Sequence, residues 1–343
     1  MYVGVLGKNP KLSLEELKLV DPTDVETRQR WVFFNTKKKS LLPQLGWLIK
    51  IGKIVPKINP TKSLVGSNDF DLLKSLKKDK KIQRYKLVSP EHINQEIAKK
   101  GEEFLNTPFG RVKVFHWQPI ELYQVIDFEK PLRWMEVGMM PAKLAHIMVN
   151  IARAQKSLLK DWTVYDPFVG FGTTWMIVNW LGWNFIGSDI NISMAKVNFK
   201  RWQTTPFYQN AKITLFKHDV TKPFTKSFLK NIDTIVTEGW LGPSLRWKRM
   251  HSILIDSIFD KVKQIYTSFF ENLNQFVVSL YPQKELWWVV SMPYYDLKKE
   301  SKSMFETLTS TITFANFQRI DIYWRSSQRV KREIVKFLIS KND

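Results

Sequence analysis

Val164-Tyr165-Asp166-Pro167-Phe168-Val169-Gly170-Phe171-Gly172-Thr173-Thr174 reads as a buried strand that ends on an acid, turns through two glycines and enters a helix. Glycine allows the tight turn and lets a ligand approach the backbone closely. Working outward, strands are expected at 163–166, 184–189, 213–217, 234–237, 286–292, 320–323 and 334–339. Helices are expected at 141–153, 173–181 and 192–204, and Leu254, Ile258, Val262, Ile265, Phe269, Leu273 and Phe276 keep the spacing of a long amphipathic one. Strands that alternate with helices imply a parallel sheet with helices on both faces, an α/β Rossmann-like architecture.

Residues 1–130 read differently, as an α+β set of short elements forming a smaller amino-terminal domain ahead of a domain over 131–343. Strands are expected at 2–6, 31–35, 49–54, 112–115 and 122–128. Ser13 with Glu16 three residues later reads as a capping box that opens a helix. Lys57–Asp69, with Pro60 and Gly66, reads as a loop.

The chain has 343 residues, 44% of them hydrophobic, which excludes wholesale disorder. Its 53 Lys and Arg against 32 Asp and Glu give a net charge of +21, spread along the chain. Such an excess suits a polyanion such as nucleic acid; a compositional bias toward Lys is the alternative. The runs Lys37–Lys39 and Lys77–Lys81 read as solvated faces. No cysteine is present, which excludes disulfides, thiolate-bound metal and a cysteine nucleophile. The five histidines lack metal-ligand spacing, so no metal is expected. No signal-peptide pattern and no long apolar run appear, so a soluble, cytoplasmic protein is expected.

The turn at Gly170 and Gly172 raises the question of its ligand. The expected strand over 184–189 ends on Asp189, nineteen residues after Gly170, where a carboxylate suits the two hydroxyls of a ribose. A dinucleotide needs a third glycine where Trp175 stands, and its diphosphate sits poorly beside Asp166. S-adenosylmethionine has no phosphate and carries a cationic sulfonium and ammonium, which a carboxylate attracts. The residues favour S-adenosylmethionine, with a dinucleotide and a purely structural turn as alternatives. Asp219, after the third strand, suits the adenine amine; a turn cap is the alternative.

Several segments carry a family resemblance. Gly138-Met139-Met140-Pro141-Ala142-Lys143-Leu144-Ala145-His146-Ile147-Met148-Val149-Asn150, followed by Asp166-Pro167-Phe168-Val169-Gly170-Phe171-Gly172-Thr173, resembles a "GMLPPKLA-x-x-M-x-N" helix ahead of "DPF-C-G-S-G-T". Gly187-Ser188-Asp189-Ile190 is similar to a "G-S-D-I" strand end. Trp324-Arg325, Gln328 and Arg332-Glu333-Ile334 resemble a closing "Y-R-x-x-Q-x-V-x-R-E-I". These are patterns of the THUMP-associated tRNA guanosine-10 N2-methyltransferase group, S-adenosylmethionine-dependent RNA amine methyltransferases. The likeness is specific over 138–190 and weaker before 130, where the RNA-binding THUMP-like region is short or diverged.

The resemblance implies a seven-stranded class I methyltransferase sheet, S-adenosylmethionine as cofactor, and RNA, in particular tRNA, as partner. Asp166, Phe168, Gly170, Gly172, Thr173, Asp189, Ile190 and Asp219 would bind the cofactor. Val169 and Phe171 stand where the family has Cys and Ser. Amine methyltransferases of this kind place D/N-P-P-Y/F/W after the fourth strand. The acid or amide oxygen and a carbonyl accept the amine hydrogens, and the ring stacks on the base. Here the run is Thr237-Glu238-Gly239-Trp240, so Glu238 and Trp240 are the catalytic candidates, with Gly239 in place of the first proline. The alternatives are a degenerate loop and a structural turn in a methyltransferase with another acceptor.

Lys143 is a candidate for contact with RNA phosphate or substrate, Tyr294 and Tyr295 for the acceptor pocket, and Arg325, Arg329, Lys331 and Arg332 for an RNA-facing surface. Solvation or packing is the plain account of each. Trp287 and Trp288 read as core, one on each sheet face.

Overall fold

The computed structural model describes residues 1–133, 139–154, 162–224, 232–243, 252–280, 286–296, 301–324 and 330–339; side chains within 252–254 and 276–280 are left aside. The chain divides into two units, Met1–Ile120 and Glu121–Asp343.

The first unit contains strands β1 (Tyr2–Val5), β2 (Thr23–Arg28), β3 (Trp31–Asn35), β4 (Lys50–Ile54), β5 (Leu64–Ser67), β6 (Arg84–Leu87), β7 (Glu102–Thr107) and β8 (Gly110–Trp117). They form one mixed sheet in the order β2-β3-β1-β4-β8-β7-β5-β6, parallel only where β5 meets β6 and β7. Helices α1 (Pro10–Leu17), α2 (Phe70–Lys78) and α3 (Gln95–Lys100) complete it. Strand β5 lies inside the expected loop over 57–69. Its Leu64-Val65-Gly66-Ser67 run is buried throughout, and burial outweighs the turn signals around it.

The capping-box expectation is corrected. Helix α1 starts at Pro10 behind Asn9, so Ser13 and Glu16 lie inside it. Ser13 Oγ accepts from the Gly7 amide at 3.1 Å. The buried Glu16 carboxylate accepts from the amides of Gly46 and Trp47, both at 2.8 Å. The pair therefore serves tertiary contacts rather than the helix start.

The expected strand over 122–128 is also corrected: Ile120–Phe128 is a helix, α4. Its buried residues, Leu122, Tyr123 and Ile126, keep helical spacing, which the dense apolar run obscures. Tyr123 Oη and His146 Nδ1 share a hydrogen bond at 2.8 Å, which ties α4 to the second unit. The division accordingly falls at Ile120 and Glu121, not at the expected 130 and 131.

The second unit continues with α5 (Ala142–Arg153), β9 (Thr163–Asp166), α6 (Thr173–Trp180), β10 (Asn184–Asp189), α7 (Ser193–Trp202), β11 (Ile213–Lys217), β12 (Thr234–Glu238), α8 (Ser252–Leu280), β13 (Leu286–Asp296), β14 (Ser301–Ser303), α9 (Met304–Leu308), β15 (Asn316–Tyr323) and β16 (Val330–Ile339). The sheet order is β11-β10-β9-β12-β13-β16-β15, with β14 paired onto the end of β13. Strands β9 to β13 run parallel, and β16 is antiparallel to both of its neighbours. Among the described residues this sheet has eight strands where seven are expected, the additional one being the three-residue β14.

Burial explains this order. Strands β9 and β12 pair through Val164↔Thr234 and Tyr165↔Ile235, and these residues are covered on both faces, as central parallel strands must be. Ile258, Val262, Tyr266, Phe269 and Leu273 of α8 pack against Trp288, Val290, Val335 and Phe337 of the sheet. The strand order reverses between β9 and β12, and open sheets of this kind bind ligands outside the carboxyl ends of the strands at such a point. No helix among the described residues is long and apolar enough to cross a membrane.

Candidate functional site

The carboxyl end of β9 delivers Asp166, 1% exposed, to the wall of a cleft. Its Oδ1 accepts from the Phe168 amide at 3.0 Å and from the Thr237 hydroxyl at 2.5 Å. Burial pushes the carboxyl up to about 7, against the stabilising pull of those hydrogen bonds. Thr237, which the sequence reading passed over, brings the end of β12 to the end of β9.

The turn after Asp166 needs its glycines for different reasons. Gly170 has φ +48°, and a Cβ on it would make only an ordinary contact, 3.8 Å from the Phe168 carbonyl oxygen. Gly172 has φ +91°, and a Cβ on it would lie 1.9 Å from the Trp175 indole nitrogen. Trp175 is fully buried, edge-on to Phe199 and Trp202. The indole thus fills the space that a dinucleotide fingerprint keeps free with its third glycine.

Asp189 closes β10 and faces the same cleft. Its Oδ2 accepts from the Gly170 amide and its Oδ1 from the Asn191 amide, each at 2.9 Å. Burial raises its pKa while the two amides oppose the rise. The carboxylate is thereby fixed against the glycine turn with lone pairs to spare.

Glu238, at the end of β12, is the third acid in the cleft. It forms a buried ion pair with Arg332 of β16. Arg332 Nε donates to Oε1, Nη2 donates to Oε2 at 3.4 Å, and Ser291 Oγ lies 3.5 Å from Oε1. Arg332 is 1% exposed, so its expected place on an RNA-facing surface is corrected: the guanidinium points inward to meet the acid. Lys331 pairs with Asp296 at 2.6 Å, while Arg325 and Arg329 lie outside the described residues.

Beyond Glu238, the chain passes close to the aromatic core. A Cβ at Gly239 would come within 2.2 Å of the Tyr266 hydroxyl, so a proline in that position would collide with it. Gly242 has φ +95° and lies against Tyr295, whose hydroxyl donates to the Leu241 carbonyl at 2.8 Å. Tyr295 is therefore a buried brace for the loop, and Tyr294 is half-buried beside Lys331. Trp240 is half-buried and lines the cleft, with Lys261 Nζ 5.9 Å from its ring centroid. Phe168 lines the cleft too, stacked on Tyr266 at 6.2 Å.

The cleft has a volume of about 220 Å³ and brings together Asp166, Phe168, Gly170, Thr173, Asp189, Glu238 and Trp240. Gly172 shapes the turn from behind. Ile190 is 64% exposed and does not line the cleft. Asp219 does not line it either. Its Oδ1 accepts from the Thr221 amide at 2.9 Å and the Thr221 hydroxyl at 2.8 Å, and these bonds hold its carboxyl below the usual range. This is the turn-cap role. Met139, Met140 and Met194 also stand in the wall, and Lys130 lies behind Thr173; none of the four carries a site signal in the sequence.

Among the described residues, the ionisable side chains that line the cleft are the carboxyls of Asp166, Asp189 and Glu238. This set attracts a ligand with a cationic end and hydroxyls, and repels a diphosphate. The residues present therefore fit the sulfonium, ammonium and ribose of S-adenosylmethionine.

No family model matches the chain, and no curated protein matches it. It is similar to solved structures of methyltransferases. One is the glycopeptide N-methyltransferase MtfA complexed with S-adenosylmethionine: 12% identity, 54% of this chain, 90% of that chain, TM-score 0.33. Another is a SAM-dependent methyltransferase from Methanosarcina mazei: 13% identity, 53% and 93% coverage, TM-score 0.34. A third is magnesium protoporphyrin IX methyltransferase from Synechocystis with bound SAH: 14% identity, 64% and 94% coverage, TM-score 0.38.

Proposed function

We propose that this chain is an S-adenosylmethionine-dependent methyltransferase acting on an exocyclic base amine of RNA, most specifically guanosine N2 in tRNA. One observation carries the reading: the ends of β9, β10 and β12 converge Asp166, Asp189 and Glu238 on one cleft at the reversal of strand order. Asp189 would hold the ribose of the methyl donor, and Asp166 with the Gly170–Thr173 turn its amino-acid end. The bound cofactor supplies an activated methyl group. The protein's part is then positioning, because transfer from a sulfonium depends chiefly on alignment of the acceptor nitrogen.

Glu238 would accept an amine hydrogen with the lone pairs that Arg332 leaves free, and Trp240 would stack on the base. The net charge of +21 supports a polyanionic substrate. The resemblance of residues 138–150 and 166–173 to tRNA guanosine methyltransferases supports RNA over other acceptors. The first unit would serve as the diverged THUMP-like RNA-binding region.

A second reading draws on the Glu238–Arg332 pair itself. A carboxylate already engaged by a buried guanidinium has fewer sites for an amine, which favours either a protein that binds RNA without methylating it or an amine methyltransferase for DNA or rRNA. Incubation with S-adenosylmethionine and unmodified tRNA, rRNA or DNA, followed by nucleoside mass spectrometry, separates these. N2-methylguanosine in tRNA is the expected product. Methylated DNA or rRNA alone moves the reading to another acceptor. No cofactor binding at millimolar concentration removes the enzyme reading.

A further inference from the structure

Lys130 is 5% exposed, and its ammonium donates to the Thr173 hydroxyl at 2.8 Å. Thr173 is the first residue of α6 and lines the cleft. A buried ammonium is costly without an anion to meet it, yet its hydrogen-bond partner here is a neutral hydroxyl. Asp127 is the acid that faces it, and Asp127 Oδ1 accepts from the Ala142 amide at the start of α5. Burial prevails over that acid and draws the lysine down to about 8.

The direction of the Lys130–Thr173 bond has a consequence for the cleft. An ammonium can only donate, so the threonine oxygen must accept, and its own hydrogen is left for another acceptor. No acceptor for it is present among the described residues. The hydroxyl therefore presents a donor at the cleft wall, at the amino end of α6 and with a positive charge one hydrogen bond behind it. Among the described residues the ionisable groups of the cleft are all acidic, so they serve the cationic groups of a methyl donor and offer its carboxylate no counterpart.

We infer that Lys130 and Thr173 form a relay that seats the carboxylate of the methyl donor's amino-acid end. Thr173 makes the contact, and Lys130 fixes its donor direction and supplies the charge. The inference rests on the methyltransferase reading above and adds a positioning residue that lies outside every motif quoted from the sequence.

The test is calorimetric and needs no turnover. Full-length wild type, Lys130→Met and Thr173→Val are titrated with S-adenosylmethionine and with decarboxylated S-adenosylmethionine, which keeps the amine and sulfonium but lacks the carboxylate. Both variants are near-isosteric, and circular dichroism checks their folding. The expected result is a loss of about tenfold or more in affinity for S-adenosylmethionine in each variant. Affinity for the decarboxylated ligand should stay within about threefold of wild type. Equal losses for both ligands mean a merely structural role and overturn the inference, as does unchanged affinity for S-adenosylmethionine. Wild type that binds neither ligand overturns the methyltransferase reading itself, a result distinct from any pattern among the variants.

Discussion

Arg332 donates its Nε–H to the carboxylate of Glu238, ninety-four residues away in sequence, and so joins the last strand of the chain to the wall of the cleft. The two are 1% and 10% exposed. Glu238 therefore has two duties: it faces the cleft, and it neutralises a cation that has little access to water. Variants at this position must be read for both.

Glu238→Gln should abolish methyl transfer and also destabilise the fold by about 3–5 kcal/mol, because it removes the charge with which Glu238 meets a buried guanidinium. Urea unfolding measures the second effect. Adding Arg332→Met removes the buried cation as well and should restore part of the stability without restoring turnover. A single variant as stable as wild type would show that the pair is not desolvated in solution.

Gly170→Ala and Gly172→Ala should differ. Both glycines have positive φ, so each substitution costs roughly 1–2 kcal/mol of backbone strain. At Gly172 the added methyl also meets the Trp175 indole, which is packed on Phe199 and Trp202 and cannot swing aside freely. Thermal unfolding should therefore rank Gly172→Ala well below Gly170→Ala. Equal midpoints would mean that the indole yields.

The contrast also explains what the sequence makes legible. The β9–turn–α6–β10 segment is local: its strands, glycines and terminal acids lie within thirty residues, and the structure holds them where the pattern implies. Long-range pairing leaves no such trace. Arg332 stands in a charged run near the carboxyl end, and only the β12-β13-β16 register turns it toward Glu238. Thr237 reads as one more strand residue until β12 lies beside β9. Asp219 looks identical as an adenine ligand and as a cap, because Thr221 decides between them only in three dimensions. Lys130 carries no signal, since a buried lysine and a solvated one are the same letter.

Stability should fall as pH rises between about 4 and 7 on account of Asp166. In the unfolded chain this group loses its proton near the ordinary value of 3.8, whereas burial holds the proton in the folded protein up to about 7. Between those values the folded state binds the extra proton, so raising the pH favours unfolding, and the loss levels off above 7. Urea midpoints taken at intervals from pH 4 to 8 should show the slope in wild type and a flatter profile in Asp166→Asn. Parallel profiles would mean that Asp166 ionises normally.

In the first unit, Glu16→Ala should cost more than Ser13→Ala. Glu16 is fully buried, and its two carboxyl oxygens accept from two backbone amides, at Gly46 and Trp47. Ser13 satisfies one, at Gly7, with a neutral hydroxyl. Losses of about 3 kcal/mol and about 1 kcal/mol are expected, because two buried amides are stranded in one variant and one in the other. Had the pair formed a capping box, the two substitutions would cost similar amounts, so unfolding of both variants discriminates the two roles.

Trp240 tests the acceptor side of the cleft separately from the donor side. Its ring is half-buried, partly packed on the α8 core and partly turned to the cleft, with Lys261 near one face. A base stacked on an aromatic side chain gains about 1–3 kcal/mol. Trp240→Ala should therefore reduce kcat/KM for RNA by about 10- to 100-fold, while Trp240→Phe, which keeps a ring, should lose less. Affinity for S-adenosylhomocysteine should stay within about threefold in both, because Asp166, Asp189 and the glycine turn are untouched. If Trp240→Ala weakens S-adenosylhomocysteine as much as it slows methylation, the ring belongs to the cofactor pocket, and the acceptor base must be held by other residues.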